Sequence, residues 1–138
     1  MKLAESKKPG GGLGSPNVLR DNAVVQSNVA QVTGRLKSAR AYLLQMLEEI
    51  WSTSIAARKF SLEQRSLLRV AITGAMNESR KVVDLAYHSA GTTAIFEGSA
   101  FERRFRDMHT ALAQGQAHLS NFESAGLALM GIEPPQRL

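Results

Sequence analysis

One heptad pattern between residues 25 and 50 constrains the fold of this chain more than any other feature. Apolar side chains recur there in steps of alternately four and three residues, which places them on one helix face: Val25, Val29, Val32, Leu36, Ala39, Leu43, Met46 and Ile50. At about 1.5 Å per residue, the stripe extends over roughly 37 Å. So long a helix needs neighbours along its whole length. The pattern therefore predicts a helical bundle, in which Asp21 or Asn22 caps the first long helix.

Capping residues predict two further helices. In "FSLEQ", Ser61 is a suitable N-cap, and Gln64, three residues later, completes a capping box. The alanine-rich helix that follows is expected to end near Gly91, because glycine is common directly after a helix C-terminus. Ser99 is the expected N-cap of a third helix, with Glu102 as its capping-box partner.

The third helical pattern is interrupted at Gly115. Its apolar positions keep the spacing of four and three, except that Gly115 occupies one of them: Phe101, Phe105, Met108, Leu112, Leu119 and Phe122. We therefore expect a break there and a last helix over roughly residues 117–130, which ends before "GIEPP". No segment shows the alternation of a strand. The sequence predicts an all-α fold, an antiparallel bundle of four to five helices with short connections.

The composition predicts a single globular domain with a tail. Residues 1–17 are rich in Lys, Gly, Ser and Pro and predict a flexible basic tail or linker, whereas residues 18–138 form the helical domain. The absence of cysteine excludes disulfides and thiolate metal sites. No apolar run reaches the ~20 residues of a membrane span, and the N-terminus lacks the apolar core of a signal peptide. We expect a cytoplasmic protein without a membrane partner.

The net charge of +5 does not predict nucleic-acid binding. Three of the 17 basic residues lie in the tail, and most of the others alternate with acids along the helices. The densest cluster, "ERRFRD" at 102–107, itself contains two carboxylates. No basic stripe carries the aromatic side chains that stack on bases. The charges are therefore expected to form solvated helix faces.

Sequence motifs of common active sites are absent. The chain has no Walker-type glycine loop, no H-E-x-x-H, no G-x-S-x-G and no dinucleotide fingerprint. Of its three histidines, His109 and His118 are nine residues apart, so they point in different directions unless the helix breaks. We expect no metal site, and no pair of carboxylates is placed as an acid and a base.

The stretch "AGTTAIFEG" separates the second and third helical patterns. Gly91 lets the backbone approach a ligand closely. Thr92 and Thr93 supply hydroxyl and backbone N–H donors, and a helix starting there would suit a phosphate. The same residues also suit a plain helix C-cap followed by a turn. The residues alone leave both interpretations open.

Three segments in this order resemble the C-terminal helical domain of the acyl-CoA dehydrogenase superfamily: "RLKSARAYLLQMLEEIW", "LRVAITGAMNESRKVVDLAYHSAGTTAIF" and "RRFRDMHTALAQGQAH". The branch with flavin-dependent monooxygenases is the most similar. The resemblance runs from about residue 18 to residue 135. Its most specific part is the small-residue loop followed by Arg106 and Asp107, which are expected to pair within the bundle or across subunits.

The resemblance implies a domain of a longer flavin-dependent oxidoreductase. In such enzymes an N-terminal helical domain and a middle β-barrel cover the flavin, and the C-terminal bundle closes the site and forms the core of a homotetramer. It implies FAD or FMN as the cofactor, contacts from Gly91, Thr92 and Thr93 to the flavin of a neighbouring subunit, and self-association as a dimer or tetramer. This chain alone would then be inactive. The small-molecule substrate is not identified.

Two departures from the family pattern bear on the reaction. The catalytic glutamate of acyl-CoA dehydrogenases aligns with Gly115, which cannot abstract a proton. A histidine of the monooxygenases aligns with Gln114, which can form hydrogen bonds but cannot act as an acid or base. The resemblance thus gives Gln114, His109 and His118 as candidate catalytic residues near the flavin or substrate, and favours a monooxygenase over a dehydrogenase.

A non-enzymatic module is the alternative. The long heptad stripe and the missing acid–base residue favour a bundle that serves only for association. The sequence leaves both functions open.

Overall fold

Five α-helices make up the computed structural model, which describes residues 2–8 and 18–134. They are α1 (Lys2–Ser6), α2 (Ala23–Ile55), α3 (Leu62–Ala90), α4 (Ala100–Ala111) and α5 (Ser120–Leu129). Short 3-10 helices lie between them at Leu19–Asp21, Gly91–Ala94 and Gly115–Ala117. These two ranges contain no strand, so the predicted all-α fold is confirmed. Most of the predicted tail, residues 1 and 9–17, lies outside the described residues, and the domain boundary at residue 18 stays a prediction.

Side-chain caps start both long helices where the sequence predicts them. The Asn22 side chain accepts a hydrogen bond from the Val24 N–H at 2.9 Å, so Asn22 is the N-cap of α2. At the start of α3, the Gln64 N–H donates to Ser61 Oγ and the Ser61 N–H donates to Gln64 Oε1, each at 3.0 Å. This reciprocal pair is the predicted capping box. It satisfies donors that the first turn of a helix leaves without partners.

The central helix of the bundle is α3, which contacts α2, α4 and α5 as well as the 3-10 helices at Gly91–Ala94 and Gly115–Ala117. The contacts between α3 and α4 run in opposite directions along the two helices. The ring of Tyr87 lies 4.3 Å from that of Phe105, and the Asp84 carboxylate meets His109. Later residues of α4 thus meet earlier residues of α3, so the two helices are antiparallel.

One side of α2 is covered by α3 and another is exposed. Met46, at 2% exposure, is the one fully buried residue of α2. Two members of the predicted stripe remain exposed within the single chain, and they belong to a row of large apolar side chains that we call the α2 row: Val29, Leu36, Leu44, Leu47, Trp51 and Ile55. Despite this apolar surface, no helix in the described residues is long and apolar enough to cross a membrane.

The third helical pattern breaks as expected. The last α-helical residue of α4 is Ala111, and the residues around Gly115 form a 3-10 turn. The following helix begins at Ser120 rather than near residue 117, because the turn takes up the intervening residues.

The charged residues of α4 pair within the helix. Ser99 is the predicted N-cap, but Glu102 is not its capping-box partner. The Glu102 carboxylate instead lies 3.3 Å from the guanidinium of Arg106, one helical turn later. Asp107 pairs in the same way with Arg103 at 3.7 Å. The expected pairing of Arg106 and Asp107 is thus local to α4 within this chain.

Candidate functional site

A cleft of about 710 Å³ lies between the first half of α3 and the segment that joins α4 to α5. This volume lies within the usual range of small-molecule sites. Two predicted catalytic residues, Gln114 and His118, line it together with Gly115. The other lining residues come from α3 and from the segment up to the start of α5: Arg65, Leu68, Arg69, Ile72, Thr73, Gln116, Ser120 and Asn121.

Buried polar side chains of α3 fix the segment opposite. Thr73 is fully buried, and its Oγ1 donates to the Gln116 carbonyl at 2.7 Å. The Asn77 amide donates to the Ala117 carbonyl at 3.0 Å. The helical hydrogen-bond ladder stops at this break, so side-chain donors satisfy carbonyl groups that the helix leaves without partners. The chain around Gly115 is therefore held against α3.

The side chain of Asn121 joins three parts of the cleft. Its Nδ2 donates to the carbonyls of Gly115 at 2.8 Å and Gln116 at 3.2 Å. Its Oδ1 accepts a hydrogen bond from Arg69 Nη1 at 3.3 Å. The first turn of α5, the break before it and the central helix are thus linked by one amide, which fixes the position of the Arg69 guanidinium relative to the opposite wall.

His109 lies outside this cleft. Its Nε2 is 2.9 Å from Asp84 Oδ1, and because a carboxylate accepts, this nitrogen donates. The ring also lies 4.3 Å from that of Phe105. His109 therefore joins α4 to α3 within the chain. The structure brings Gln114 and His118 to one cleft but not His109, and the catalytic role of all three stays a prediction.

The predicted flavin-contacting loop follows α3 directly. Gly91 has a φ of +54°, a conformation that favours glycine, which explains why the helix ends there. Ala90 and Ala94 are fully buried and anchor the loop, whereas Thr92 and Thr93 are exposed. The loop thus presents both hydroxyl-bearing residues on the surface.

The N-terminal segment contacts this loop. The Lys7 ammonium donates to the Ala90 carbonyl and to Thr93 Oγ1, the latter at 2.9 Å. A Cβ added to Gly91 would lie 3.2 Å from Lys7 Nζ. An ammonium and two threonine hydroxyls are donors that suit a phosphate group. The residues present therefore fit the phosphate of a flavin nucleotide.

The loop and the cleft lie toward opposite ends of α3. From Thr73 to Ala90, the helix rises about 26 Å. Within one chain, Gly91, Thr92 and Thr93 are therefore far from Gln114. No group of three His, Cys, Asp or Glu residues in ranges 2–8 and 18–134 is placed to hold a metal ion.

Two cleft arginines were not identified from the sequence. Arg65 and Arg69 are one helical turn apart on α3, and both line the cleft. A signal was present, since neither has an acidic residue three or four positions away in the sequence. Thr73 and Asn77 gave no comparable signal, because their partners are backbone carbonyls more than 35 residues later in the chain.

Comparison with known proteins agrees with the resemblance seen in the sequence. Residues 3–119 match the family model described as "Acyl-CoA dehydrogenase, C-terminal domain". The chain is 28% identical over 116 residues to an indole-3-acetate monooxygenase of Acinetobacter baumannii, which covers 84% of this chain and 30% of that protein. An indole-3-acetate monooxygenase of Pseudomonas putida is 26% identical over 121 residues, or 88% of this chain and 31% of its own length.

A pigment production hydroxylase of Rhodococcus erythropolis is 25% identical over 121 residues, which cover 84% of this chain and 30% of the relative. The chain spans about 30% of the length of these curated relatives. Their names agree with the monooxygenase-like branch indicated by the sequence. Since the family match extends from α1 through the cleft segment, this chain belongs to the family of acyl-CoA dehydrogenase C-terminal domains.

Proposed function

We propose that this chain serves as the C-terminal domain of a flavin-dependent oxidoreductase that acts as a monooxygenase. The observation that carries this proposal is the family match over residues 3–119, together with relatives named as monooxygenases and a hydroxylase. FAD or FMN would supply the redox chemistry when bound. The domain's part is to close the flavin site, to line the substrate cleft and to associate with further copies.

The cleft supports a monooxygenase over an acyl-CoA dehydrogenase. Removal of a substrate α-proton needs a base, and the position of the family's glutamate is occupied by Gly115, which lines the cleft without a side chain. Gln114 beside it can donate and accept hydrogen bonds but cannot act as an acid or base. Among the described lining residues, His118 carries the one imidazole. We assign Gln114 to orienting the substrate or flavin and His118 to proton exchange.

The loop at residues 91–93 is assigned to the flavin of a neighbouring copy. Along α3 it lies about 26 Å from the cleft, so one flavin would meet both only if they came from different chains. Thr92, Thr93 and the Lys7 ammonium would hold the flavin phosphate or the ribityl hydroxyls. This assignment requires an assembly of two or more copies.

Self-association is also supported by the α2 row. A row of six large apolar side chains that are 44–71% exposed is more apolar surface than a helix of a monomeric protein usually presents. We expect a dimer or tetramer, measured by multi-angle light scattering. A strictly monomeric species at high protein concentration would count against it.

The function is tested by flavin binding in two proteins. A full-length protein that contains this domain is expected to purify with FAD or FMN and to consume oxygen when a reductase supplies electrons, whereas the 138-residue chain alone should retain little flavin. The double variant Thr92→Ala/Thr93→Ala should lose flavin from the full-length protein, and the exposed Thr110→Ala should not. Stoichiometric, tightly bound flavin in the chain alone would contradict the assignment to an interface.

A non-enzymatic association module is the second candidate. The α2 row and the absence of a base at Gly115 favour it. It would be indicated by a full-length protein that assembles normally but binds no flavin and consumes no oxygen.

A further inference from the structure

We propose that a second copy of this chain covers the α2 row, and that the two α2 helices pair antiparallel about a two-fold axis near Leu44. This inference rests on the proposed self-association and deepens it, since it names the surface, the symmetry and the ion pairs that set the register. It follows from three properties of α2: the side on which its exposed apolar residues lie, the charges beside them and the order of those charges along the helix.

The side of α2 that faces α3 is already occupied within the chain. The guanidinium of Arg35 lies 3.0 Å from the Glu78 carboxylate. Gln64 Nε2 donates to the Glu49 carboxylate at 3.1 Å, and Met46 is buried. At about 100° per residue around the helix axis, these three residues of α2 share a sector of about 60°. The last four members of the α2 row are centred on the opposite side, so α3 does not cover them.

Three charged residues of α2 lie among the exposed apolar side chains and lack a partner. Lys37, Arg40 and Glu48 are exposed, and within residues 2–8 and 18–134 none of their side chains forms an ion pair or a hydrogen bond. Together with the last four members of the α2 row they occupy a sector of about 100° around the helix. The charges on the side of α3 are paired within the chain, whereas those beside the α2 row are free to meet another molecule.

The signs of these free charges are separated along the helix. Lys37 and Arg40 precede the middle of the α2 row, and Glu48 follows it. In a parallel pair of α2 helices, each charge would lie beside its own copy, and such contacts between like charges are unfavourable. In an antiparallel pair, Glu48 of one copy meets the two cations of the second copy. The charges therefore favour the antiparallel arrangement.

The register follows from the same charges. Arg40 of one copy lies opposite Glu48 of the second copy when the two-fold axis passes through Leu44, which is midway between them. Leu44 then packs against its own copy. Trp51 lies opposite Lys37, an arrangement in which an indole face attracts an ammonium group. Because a two-fold interface uses the same patch on both copies, each of these contacts occurs twice.

The paired surface is largely apolar. In this register, residues 33–55 of the two helices run past each other over about 35 Å. Five of the six members of the α2 row lie in this overlap, and they are 44–71% exposed in the single chain. Burial of apolar area drives association, whereas charges at the edge of an interface mainly disfavour wrong arrangements. The α2 row would thus supply the affinity, and the three charges would set the symmetry.

Disulfide crosslinking tests the symmetry, because the chain contains no cysteine of its own. Leu44→Cys places one thiol of each copy at the two-fold axis, so mild oxidation should convert most of the protein into a covalent dimer. Ile55→Cys is the matched control on the same exposed surface. In the antiparallel pair the two copies of residue 55 are about 33 Å apart, which no disulfide spans. A parallel pair would crosslink at both positions.

An exchange of charges tests the register. Arg40→Glu and Glu48→Lys should each raise the Kd of the dimer at least about tenfold in sedimentation equilibrium, because each reversal replaces two attractive contacts by two repulsive ones. The double variant Arg40→Glu/Glu48→Lys should bind at least about fivefold more tightly than either single variant. Arg104→Glu and Glu123→Lys make the same charge changes at exposed positions of α4 and α5 and should leave the Kd unchanged.

Three results would overturn the proposal: a chain that stays monomeric at high concentration, equal crosslinking at residues 44 and 55, or a double variant that binds no better than the single variants. Because no flavin is present in these experiments, they are independent of whether the full-length protein binds flavin. An antiparallel dimer with a flavin-free full-length protein would refute the oxidoreductase function and leave the pairing standing. A monomeric chain with a flavin-loaded full-length protein would refute the pairing alone.

Discussion

The substitution Thr73→Val tests how the cleft segment is held against α3. Valine has nearly the shape of threonine but cannot donate a hydrogen bond, so it removes the 2.7 Å bond from Oγ1 to the Gln116 carbonyl and changes little else. Thr73 is fully buried, and water cannot replace the donor. Leaving a buried group without its partner costs about 1–3 kcal/mol. The Gln116 carbonyl keeps a second bond from Asn121 at 3.2 Å, so we expect the lower half of this range, about 1–2 kcal/mol.

The measurement is the free energy of unfolding from urea denaturation followed by far-UV circular dichroism. Thr110→Val is the matched control, because Thr110 Oγ1 donates to the Arg106 carbonyl at 2.9 Å on the exposed surface of α4. Water can replace that donor, so we expect a change below about 0.5 kcal/mol. If Thr73→Val cost no more than Thr110→Val, the hydrogen bond across the cleft would not stabilise the break.

A double variant sharpens this test. In Thr73→Val/Asn121→Ala, the Gln116 carbonyl loses both side-chain donors that the structure provides. The combined cost should exceed the sum of the two single costs by at least about 0.5 kcal/mol, because only the second loss leaves the group without any of these donors. Simple additivity would show that the two donors act on different groups or that the segment relaxes.

Two further predictions concern α2 and its pairing with α3. Hydrogen bonds from Lys81, which has the larger effect, and from Arg35 lower the pKa of the Glu78 carboxyl below its ordinary value of 4.5. Because the pKa is lower in the folded state, the ionised carboxylate contributes stability above pH 4.5, and this stability is lost as the pH falls through the lowered pKa. Glu78→Gln should therefore lower the free energy of unfolding by about 0.3–1 kcal/mol at pH 7. The difference should vanish in urea titrations at a pH well below the lowered pKa, and a difference that persists there would contradict the reasoning. A Cβ at Gly34 would meet no atom within 4 Å, so Gly34→Ala should stabilise α2 by about 0.5–1 kcal/mol in thermal unfolding; a destabilised variant would show that the exposed helix surface there is not open.

The parts of the fold predictable from the sequence are those decided within a few residues of the chain. The capping box of Ser61 and Gln64 depends on local hydrogen bonds, so the sequence spacing suffices to predict it. For the N-cap of α2 the sequence left Asp21 and Asn22 as alternatives, and the structure shows Asn22. The break at Gly115 was visible as a missing apolar residue in a periodic pattern. Glu102 had two local partners open to it, and the ion pair with Arg106 formed in place of the capping box.

The candidate site was only partly predictable, because its geometry depends on which helices meet. Gln114 and His118 share a cleft since the break turns the chain back toward α3, whereas His109 is directed toward Asp84 by the antiparallel packing of α4. Nothing within a few residues of Lys7 indicates that its ammonium lies at Thr93. The residues that complete the cleft, Arg65 and Arg69, come from a helix about fifty residues earlier.

The exposed position of Trp51 in the α2 row gives the protein an internal optical reporter. It is the chain's single tryptophan and is 69% exposed. Unfolding exposes its indole only a little further, so fluorescence responds weakly to denaturation. A partner that covers the α2 row would instead remove water from this indole and shift its emission to shorter wavelength. Assembly can therefore be followed in the unlabelled protein at concentrations too low for light scattering, with a signal that reports on one known helix.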